Sequence, residues 1–302
     1  MTEEFARTSA DIELCYETFG DPADPPILLI MGLATQMIGW HEEFCAQLAD
    51  RGFHVIRFDN RDAGRSTTFR GHKPPTLAQM LRRDRKAAAY SLADMAADTV
   101  GLLDHLGIDR AHVVGASMGG MIAQTVAIRF PQRVRSLVSI MSNTGGRLSG
   151  QPAFKLYPIV LKQAPRDRAG YIEHTVKLFK AIGSTGFDVD DAHLRDTAAR
   201  SYDRGVSAAA SGRQLQAILG DRDRAPQLRR LDVPALVIHG TADKLVAKSG
   251  GRHTAKAIPG ARLLEIDGMG HDLPRGAWPQ IIEGIVETAG RADPARAAAE
   301  TA

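Results

Sequence analysis

Short apolar runs recur along the first half of the chain, and segments of helical periodicity or polar loops separate them. The runs at residues 27–31, 54–58, 111–114 and 134–141 are rich in aliphatic side chains, and each predicts a buried strand. Between the second and third runs, residues 92–106 place apolar side chains along one helical stripe. Strands that alternate with helices in this way predict a mostly parallel sheet with helices packed on its faces.

The alternation fails in the middle of the chain and then returns. Residues 143–226 contain helix-like stretches and several glycines but no clear strand signal. Residues 235–239 and 261–266 again predict strands, and residues 278–289 predict a last helix. We therefore interpret the middle segment as a helical cap inserted into one α/β domain.

Predicted domain boundaries follow from this interruption. The core is expected to consist of residues 1–142 and 227–290, with the cap at 143–226 between its two parts. Residues 291–302 are rich in alanine and arginine and have little apolar surface to bury, so this tail is predicted to be disordered.

Composition and charge exclude several classes of protein. With 44% apolar and 24% charged residues among 302, the chain has enough apolar material for a sizeable core. The 38 basic and 35 acidic residues are interleaved, which argues against a nucleic-acid partner. Cys15 and Cys45 form no Cys-x-x-Cys pair, so a disulfide framework is not expected. Residues 1–14 lack the apolar run that a secretory signal needs, and nowhere do 18 apolar residues run together, so we expect a cytoplasmic protein, with surface or membrane association as the alternative.

The strongest chemical signal is the segment Gly115-Ala-Ser-Met-Gly119, which follows a predicted strand and precedes a helix predicted from about residue 121. This G-x-S-x-G pattern is typical of a nucleophilic serine held on a tight strand-to-helix turn. A glycine-rich connection without catalytic function is the alternative. Neither G-x-G-x-x-G nor a P-loop pattern is present, which disfavours a nucleotide ligand.

A serine hydroxyl is a weak nucleophile and needs a base that is itself oriented by an acid. The best candidate base is His271, on a glycine-flanked loop after the last predicted strand. The best acid is Asp243, just after the strand at 235–239, with Asp267 as a competitor. The order Ser, Asp, His along the chain is the one used with this serine motif.

Stabilising the oxyanion requires hydrogen-bond donors beside the nucleophile. Backbone N–H groups suffice, and we expect them from Met118, directly after Ser117, and from Leu33, in the turn after the first predicted strand. This chemistry needs no metal and no organic cofactor.

These features together resemble the α/β-hydrolase superfamily over roughly residues 10–290, and the segment from Asp59 to Ser66 resembles its D-x-R-x-x-G-x-S loop. The stretches around residues 21–32, 54–59 and 268–274 are similar to bacterial carboxylesterases of the aclacinomycin methylesterase and mycobacterial lipase-like type. The chain departs from the family at Met31, where histidine is frequent, and at Asp62, where glycine is common. Both departures are expected to alter the shape of the site without removing a catalytic atom.

The resemblance implies an α/β-hydrolase fold and a serine hydrolase that cleaves carboxylic esters through an acyl-enzyme on Ser117. The same triad also serves C–C bond hydrolases, thioesterases, peptidases and perhydrolases. A ligand-binding protein of this fold without turnover is the alternative from outside the enzymes. Aromatic residues in the cap, Phe154, Tyr157 and Phe179, are candidates for a substrate pocket, which suggests an apolar small-molecule ester. Oligomeric state, natural substrate and stereochemical preference stay open.

Overall fold

The computed structural model describes residues 2–156, 162 and 164–293. Its centre is an eight-stranded sheet in the order β1-β2-β4-β3-β5-β6-β7-β8. Strands β3 to β8 pair in parallel, whereas β1 and β2 extend one edge in antiparallel pairing. The strands are β1 (Glu4–Arg7), β2 (Glu13–Phe19), β3 (Pro26–Ile30), β4 (His54–Phe58), β5 (Ala111–Ala116), β6 (Val134–Ile140), β7 (Ala235–Gly240) and β8 (Arg262–Ile266).

The predicted sheet is confirmed, but the sequence analysis missed β1 and β2. In β2, Glu17 is buried, and its carboxylate accepts a hydrogen bond from Arg57 Nε at 2.8 Å. A buried charge that is paired in this way is compatible with a strand interior, yet it interrupts the apolar run by which buried strands are recognised.

Helices cover both faces of the sheet. One apolar cluster packs α1 and the C-terminal helix α10 on one face, and another packs α3, α4 and α9 on the opposite face. The helices are α1 (Glu42–Ala49), α2 (Leu77–Leu81), α3 (Leu92–His105), α4 (Met118–Arg129), α5 (Arg168–Ile182), α6 (Asp191–Arg204), α7 (Ala208–Gly220), α8 (Ala225–Leu228), α9 (Ser249–Ala257) and α10 (Trp278–Ala292). This arrangement is the α/β-hydrolase fold predicted from the sequence.

Between β6 and β7, the described residues form helices α5 to α8 and no strand. The predicted boundary at 226 falls inside α8, whose Ala225 and Leu228 are buried in the cluster that packs against α4. At the other end of the core, α10 continues to Ala292, two residues past the predicted end of the core at residue 290. Asp293 follows this helix and accepts a hydrogen bond from Arg135 at 2.8 Å, which ties the helix end to β6. Residues 294–302 lie outside the described part of the chain.

Asp62, one of the two departures from the family pattern, connects the loop after β4 to helix α7. Its φ of 64° lies in the left-handed region that favours glycine. Its carboxylate accepts two hydrogen bonds from Arg213, at 2.8 and 2.7 Å, and one from the hydroxyl of Tyr90 at 2.7 Å. The side chains of Asp62 and Arg213 are 0% and 3% exposed. These contacts give a physical reason for an aspartate at a position that suits glycine.

Removing Arg213 should therefore be costly. Arg213→Met leaves the buried Asp62 carboxylate without its cation, and we expect the free energy of unfolding to fall by about 3–5 kcal/mol, measured by urea denaturation. Arg168→Met is the matched control, because Arg168 pairs with Asp203 on the surface, where both side chains are about half exposed. The double variant Asp62→Gly/Arg213→Met should recover much of the loss. Equal stability of the Arg213 and Arg168 variants would contradict this role of the buried pair.

Candidate active site

Ser117 lies between the end of β5 and the start of α4. Its φ of 56° and ψ of −119° are strained for a residue with a side chain. A Cβ atom at Gly119 would lie 2.0 Å from the Ile30 carbonyl oxygen, and one at Gly115 would lie 2.1 Å from the Gly119 carbonyl oxygen. Both glycines of the motif are therefore required by close backbone packing. Helix α4 begins directly after the serine, three residues earlier than predicted, so its N-terminus lies beside the hydroxyl.

His271 joins the other two predicted residues by hydrogen bonds. Its Nε2 lies 2.9 Å from Ser117 Oγ, and its Nδ1 lies 2.8 Å from Asp243 Oδ2. Because a carboxylate oxygen accepts hydrogen bonds, this pairing assigns the ring proton to Nδ1 and leaves the Nε2 lone pair facing the serine hydroxyl. The histidine and the aspartate are each 7% exposed, while Ser117 is half-buried. The structure thus unites residues that are 154 positions apart along the chain.

The loop that carries His271 packs against the end of α5 and the segment that follows it. The His271 N–H donates to the Ile182 carbonyl at 2.8 Å, and the Gly270 N–H donates to Ser184 Oγ at 2.9 Å. A Cβ atom at Gly270 would lie 2.2 Å from the carbonyl carbon of Gly183. The glycine before the histidine is therefore needed for contact between the two segments. Ser184 was not singled out in the sequence, since a serine after a helix carries no signal of such a contact.

Asp243 is held by the loop in which it lies. Its Oδ1 accepts the N–H groups of Leu245 and Val246 at 2.9 and 2.8 Å, which leaves Oδ2 for His271. The competing acid, Asp267, accepts a hydrogen bond from the Thr241 hydroxyl at 2.8 Å instead. The geometry therefore favours Asp243 as the partner of the histidine.

A second histidine, His239, lies beneath this carboxylate. It is fully buried, and its Nε2 lies 2.8 Å from the Val246 carbonyl and 3.5 Å from Asp243 Oδ2. Burial lowers the pKa of His239, so the neutral ring donates its Nε2 proton to the carbonyl, which can only accept. The sequence offered one signal that was not used, a histidine at the end of a buried strand four residues before the acid.

The predicted oxyanion donors belong to two segments next to Ser117. The Met118 N–H is at the start of α4, and a Cβ atom at Gly32 would lie 3.1 Å from Ser117 Cβ, which places the Gly32-Leu33 turn against the serine. Among the described residues, neither the Leu33 nor the Met118 N–H donates to a protein acceptor. Both donors are thus available to a negative charge that develops beside the hydroxyl.

Comparison with known sequences gives the family. The sequence profile described as alpha/beta hydrolase fold matches residues 25–274. The chain belongs to the α/β-hydrolase family. This result confirms the resemblance drawn from the serine motif and from the acid and histidine loops.

The relatives with similar sequences include proteins that are named as esterases. The chain is 30% identical over 288 residues to rhodomycin D methylesterase DnrP of Streptomyces peucetius, with 88% of this chain and 91% of the relative covered. It is 27% identical over 262 residues to 3-oxoadipate enol-lactonase 2 of Acinetobacter baylyi, with 83% and 84% covered. The similarity to methylesterases noted from the sequence is therefore also confirmed.

Solved α/β-hydrolase structures show the same fold. The enol-lactonase of Burkholderia xenovorans LB400 superposes with a TM-score of 0.71 at 24% identity, over 94% of this chain and 99% of that one. A meta-cleavage product hydrolase of Pseudomonas fluorescens IP01 gives a TM-score of 0.71 at 19% identity, over 96% of this chain and 98% of that one.

Within the described residues, no helix combines the length and apolar character needed to cross a bilayer.

The aromatic residues predicted for the substrate pocket are only partly described. Phe154 begins a short 3₁₀ turn and is 88% exposed, whereas Phe179 on α5 is half-buried. Tyr157 lies outside the described residues. A groove of about 790 Å³ is present elsewhere, between α1, β8 and α10, and no catalytic candidate lines it. Contact between the substrate and Phe154, Tyr157 or Phe179 stays a prediction.

Proposed function

We propose that this α/β hydrolase cleaves carboxylic esters, with Ser117 as nucleophile, His271 as base and Asp243 as its acid partner. The observation that carries the proposal is the unbroken hydrogen-bond chain from the serine hydroxyl through the imidazole to the carboxylate, at 2.9 and 2.8 Å. Nucleophile, base and orienting acid are arranged as serine acyl transfer requires.

In the first half-reaction, Ser117 Oγ attacks the ester carbonyl while its proton passes to His271 Nε2. The imidazolium that forms is stabilised by the carboxylate of Asp243. The N–H groups of Leu33 and Met118 hold the negative oxygen of the tetrahedral intermediate. When the intermediate collapses, the histidine returns the proton to the departing alcohol, and the acyl group remains on the serine.

In the second half-reaction, water replaces the alcohol. His271 accepts a proton from the water as it attacks the acyl-enzyme, and the same backbone donors hold the second oxyanion. When this intermediate collapses, His271 returns its proton to Ser117 Oγ, which restores the serine hydroxyl and releases the acid. The residues described here complete both steps by proton transfer and charge stabilisation.

The choice of an ester bond is supported by relatives whose names identify methylesterases and an enol-lactonase. We propose that the helices between β6 and β7 act as the cap over this site and that an apolar small-molecule ester binds beneath them. Thioester, C–C and peracid chemistry could use the same triad, but the structural neighbour that cleaves a meta-cleavage product is only 19% identical and supports the fold alone.

A panel of p-nitrophenyl esters with acyl chains of increasing length tests the proposal. We expect Ser117-dependent hydrolysis that is faster for apolar esters than for small, highly charged ones, because the proposed pocket beneath the cap would be lined by aromatic and aliphatic side chains. A fluorophosphonate should label the wild-type protein, and mass spectrometry should locate the adduct on Ser117. Absence of both labelling and ester hydrolysis would instead favour a binding protein without turnover.

A further inference from the structure

One buried side chain of helix α7 contacts the loop that carries Leu33. Gln214 is fully buried, and its Oε1 accepts the N–H of Ala34 at 2.8 Å. Its Nε2 donates to the carbonyl of Arg61 at 2.8 Å. The amide group therefore joins the loop after β3 to the loop after β4, and both of its ends are used.

The Ala34 N–H belongs to the peptide unit next to the proposed oxyanion donor. The carbonyl of that same peptide unit, from Leu33, accepts a hydrogen bond from Thr35 Oγ1 at 3.2 Å. Gln214 and Thr35 thus hold the unit at both of its polar ends. Ala34 has a φ of 56°, in the left-handed region that side chains disfavour, so this loop geometry needs contacts from outside it.

We propose that Gln214 is a positioning residue for the oxyanion site. By holding the peptide unit between Leu33 and Ala34, it directs the preceding Leu33 N–H toward the oxygen that becomes negative beside Ser117. Gln214 belongs to the helical segment between β6 and β7. Through this contact, the geometry of the oxyanion site therefore depends on how the cap packs against the core. The inference rests on the serine-hydrolase function proposed above.

Helix α7 also offers a control with the same chemistry. Gln216 is fully buried, and its Nε2 donates to the backbone carbonyl of Asp84 at 2.6 Å, away from the loop of Leu33. Both glutamines attach α7 to the rest of the chain through a buried amide, with two hydrogen bonds from Gln214 and one from Gln216, whose Oε1 has no partner among the described residues. If both glutamines are purely structural, the two replacements should have similar effects on kcat. The positioning role predicts that only the replacement of Gln214 lowers kcat.

The experiment compares Gln214→Met with Gln216→Met on the best p-nitrophenyl ester of the panel. We expect kcat to fall by about 10- to 100-fold for Gln214→Met, as for a misdirected oxyanion donor, with KM changed by less than about threefold. For Gln216→Met we expect kcat within about twofold of the wild type. Melting temperatures of both variants show whether destabilisation contributes.

A second variant tests the same contact through pH. In Gln214→Glu, burial raises the pKa of the introduced carboxyl group, and its neutral form can both accept from Ala34 and donate to Arg61. The charged groups on the contacting elements are already paired, Arg213 with Asp62, Arg61 with Asp98, Asp59 with Arg204 and Arg65 with Glu3. The ratio of variant kcat to wild-type kcat should therefore be high at low pH and fall as the carboxyl group ionises.

The outcomes separate this inference from the proposed function. If the wild type shows Ser117-dependent turnover and Gln214→Met matches Gln216→Met in kcat, the positioning role is wrong while the hydrolase function stands. If the wild type shows no such turnover, both fail. Should Gln214→Met not fold, the pH dependence of Gln214→Glu decides, and a ratio that is constant across pH overturns the positioning role.

Discussion

Ser117→Ala is expected to lower kcat for ester hydrolysis by about 10⁶-fold, to the level left by binding and backbone donors alone. The variant removes the atom that attacks the carbonyl and leaves His271 without a partner to deprotonate. The fold should be unchanged, because the hydrogen bond to the histidine is the only one that the serine hydroxyl forms among the described residues, and alanine fits the same turn. Initial rates with the best p-nitrophenyl ester measure the effect, and circular dichroism verifies the fold.

The control for this variant is Ser139→Ala. Ser139 is buried on β6 near the same turn, and its hydroxyl accepts a hydrogen bond from Gln124 at 3.1 Å rather than contacting the histidine. Fluorophosphonate labelling should persist in Ser139→Ala and vanish in Ser117→Ala. Near-normal ester turnover by a folded Ser117→Ala variant would mean that another group is the nucleophile.

Much of the site could be predicted because parallel strands end at one edge of the sheet. Ser117 follows β5, Asp243 follows β7 and His271 follows β8, so chain order and strand position together bring the three near one another. Apolar runs located these strands to within about two residues. The histidine loop and the turn of Leu33 were also accessible, since each lies directly after a strand signal.

The contacts that support the triad were harder to predict. Gln214 and Ser184 form hydrogen bonds with backbone groups of loops more than 80 positions away along the chain, and backbone groups have no residue-type signature. Strand β2 was missed because the Glu17 carboxylate, paired with Arg57, breaks the apolar pattern. Pairing between distant residues becomes visible only once the chain has folded.

The structure gives a physical reason for the aspartate at position 62, where glycine is common in the family. From the sequence, aspartate at this position only suggested an altered site. In the structure its carboxylate binds Arg213, the residue before Gln214, so the ion pair and the amide contacts act from adjacent positions on α7. Helix α7 is thus fixed to the two loops that border the proposed site, and under the proposed positioning role its placement affects catalysis as well as stability.

Asp243→Asn is expected to lower kcat by about 10⁴-fold while leaving the fold intact. Two backbone N–H groups, from Leu245 and Val246, bind Oδ1, so the amide oxygen of the introduced asparagine takes that place. Its NH₂ group then faces His271 Nδ1 and favours the ring tautomer with the proton on Nε2. That tautomer cannot accept the proton of Ser117. His271 therefore no longer acts as a base, although the side chains keep their positions.

The matched control is Asp267→Asn, which alters the competing acid after β8. The Asp267 carboxylate binds the Thr241 hydroxyl, and an asparagine oxygen can accept that hydrogen bond, so kcat should remain near the wild-type value. Measuring kcat for both variants on one ester decides between the two carboxylates. A large loss in Asp267→Asn with little change in Asp243→Asn would transfer the role of acid partner to Asp267 and would require the histidine loop to rearrange.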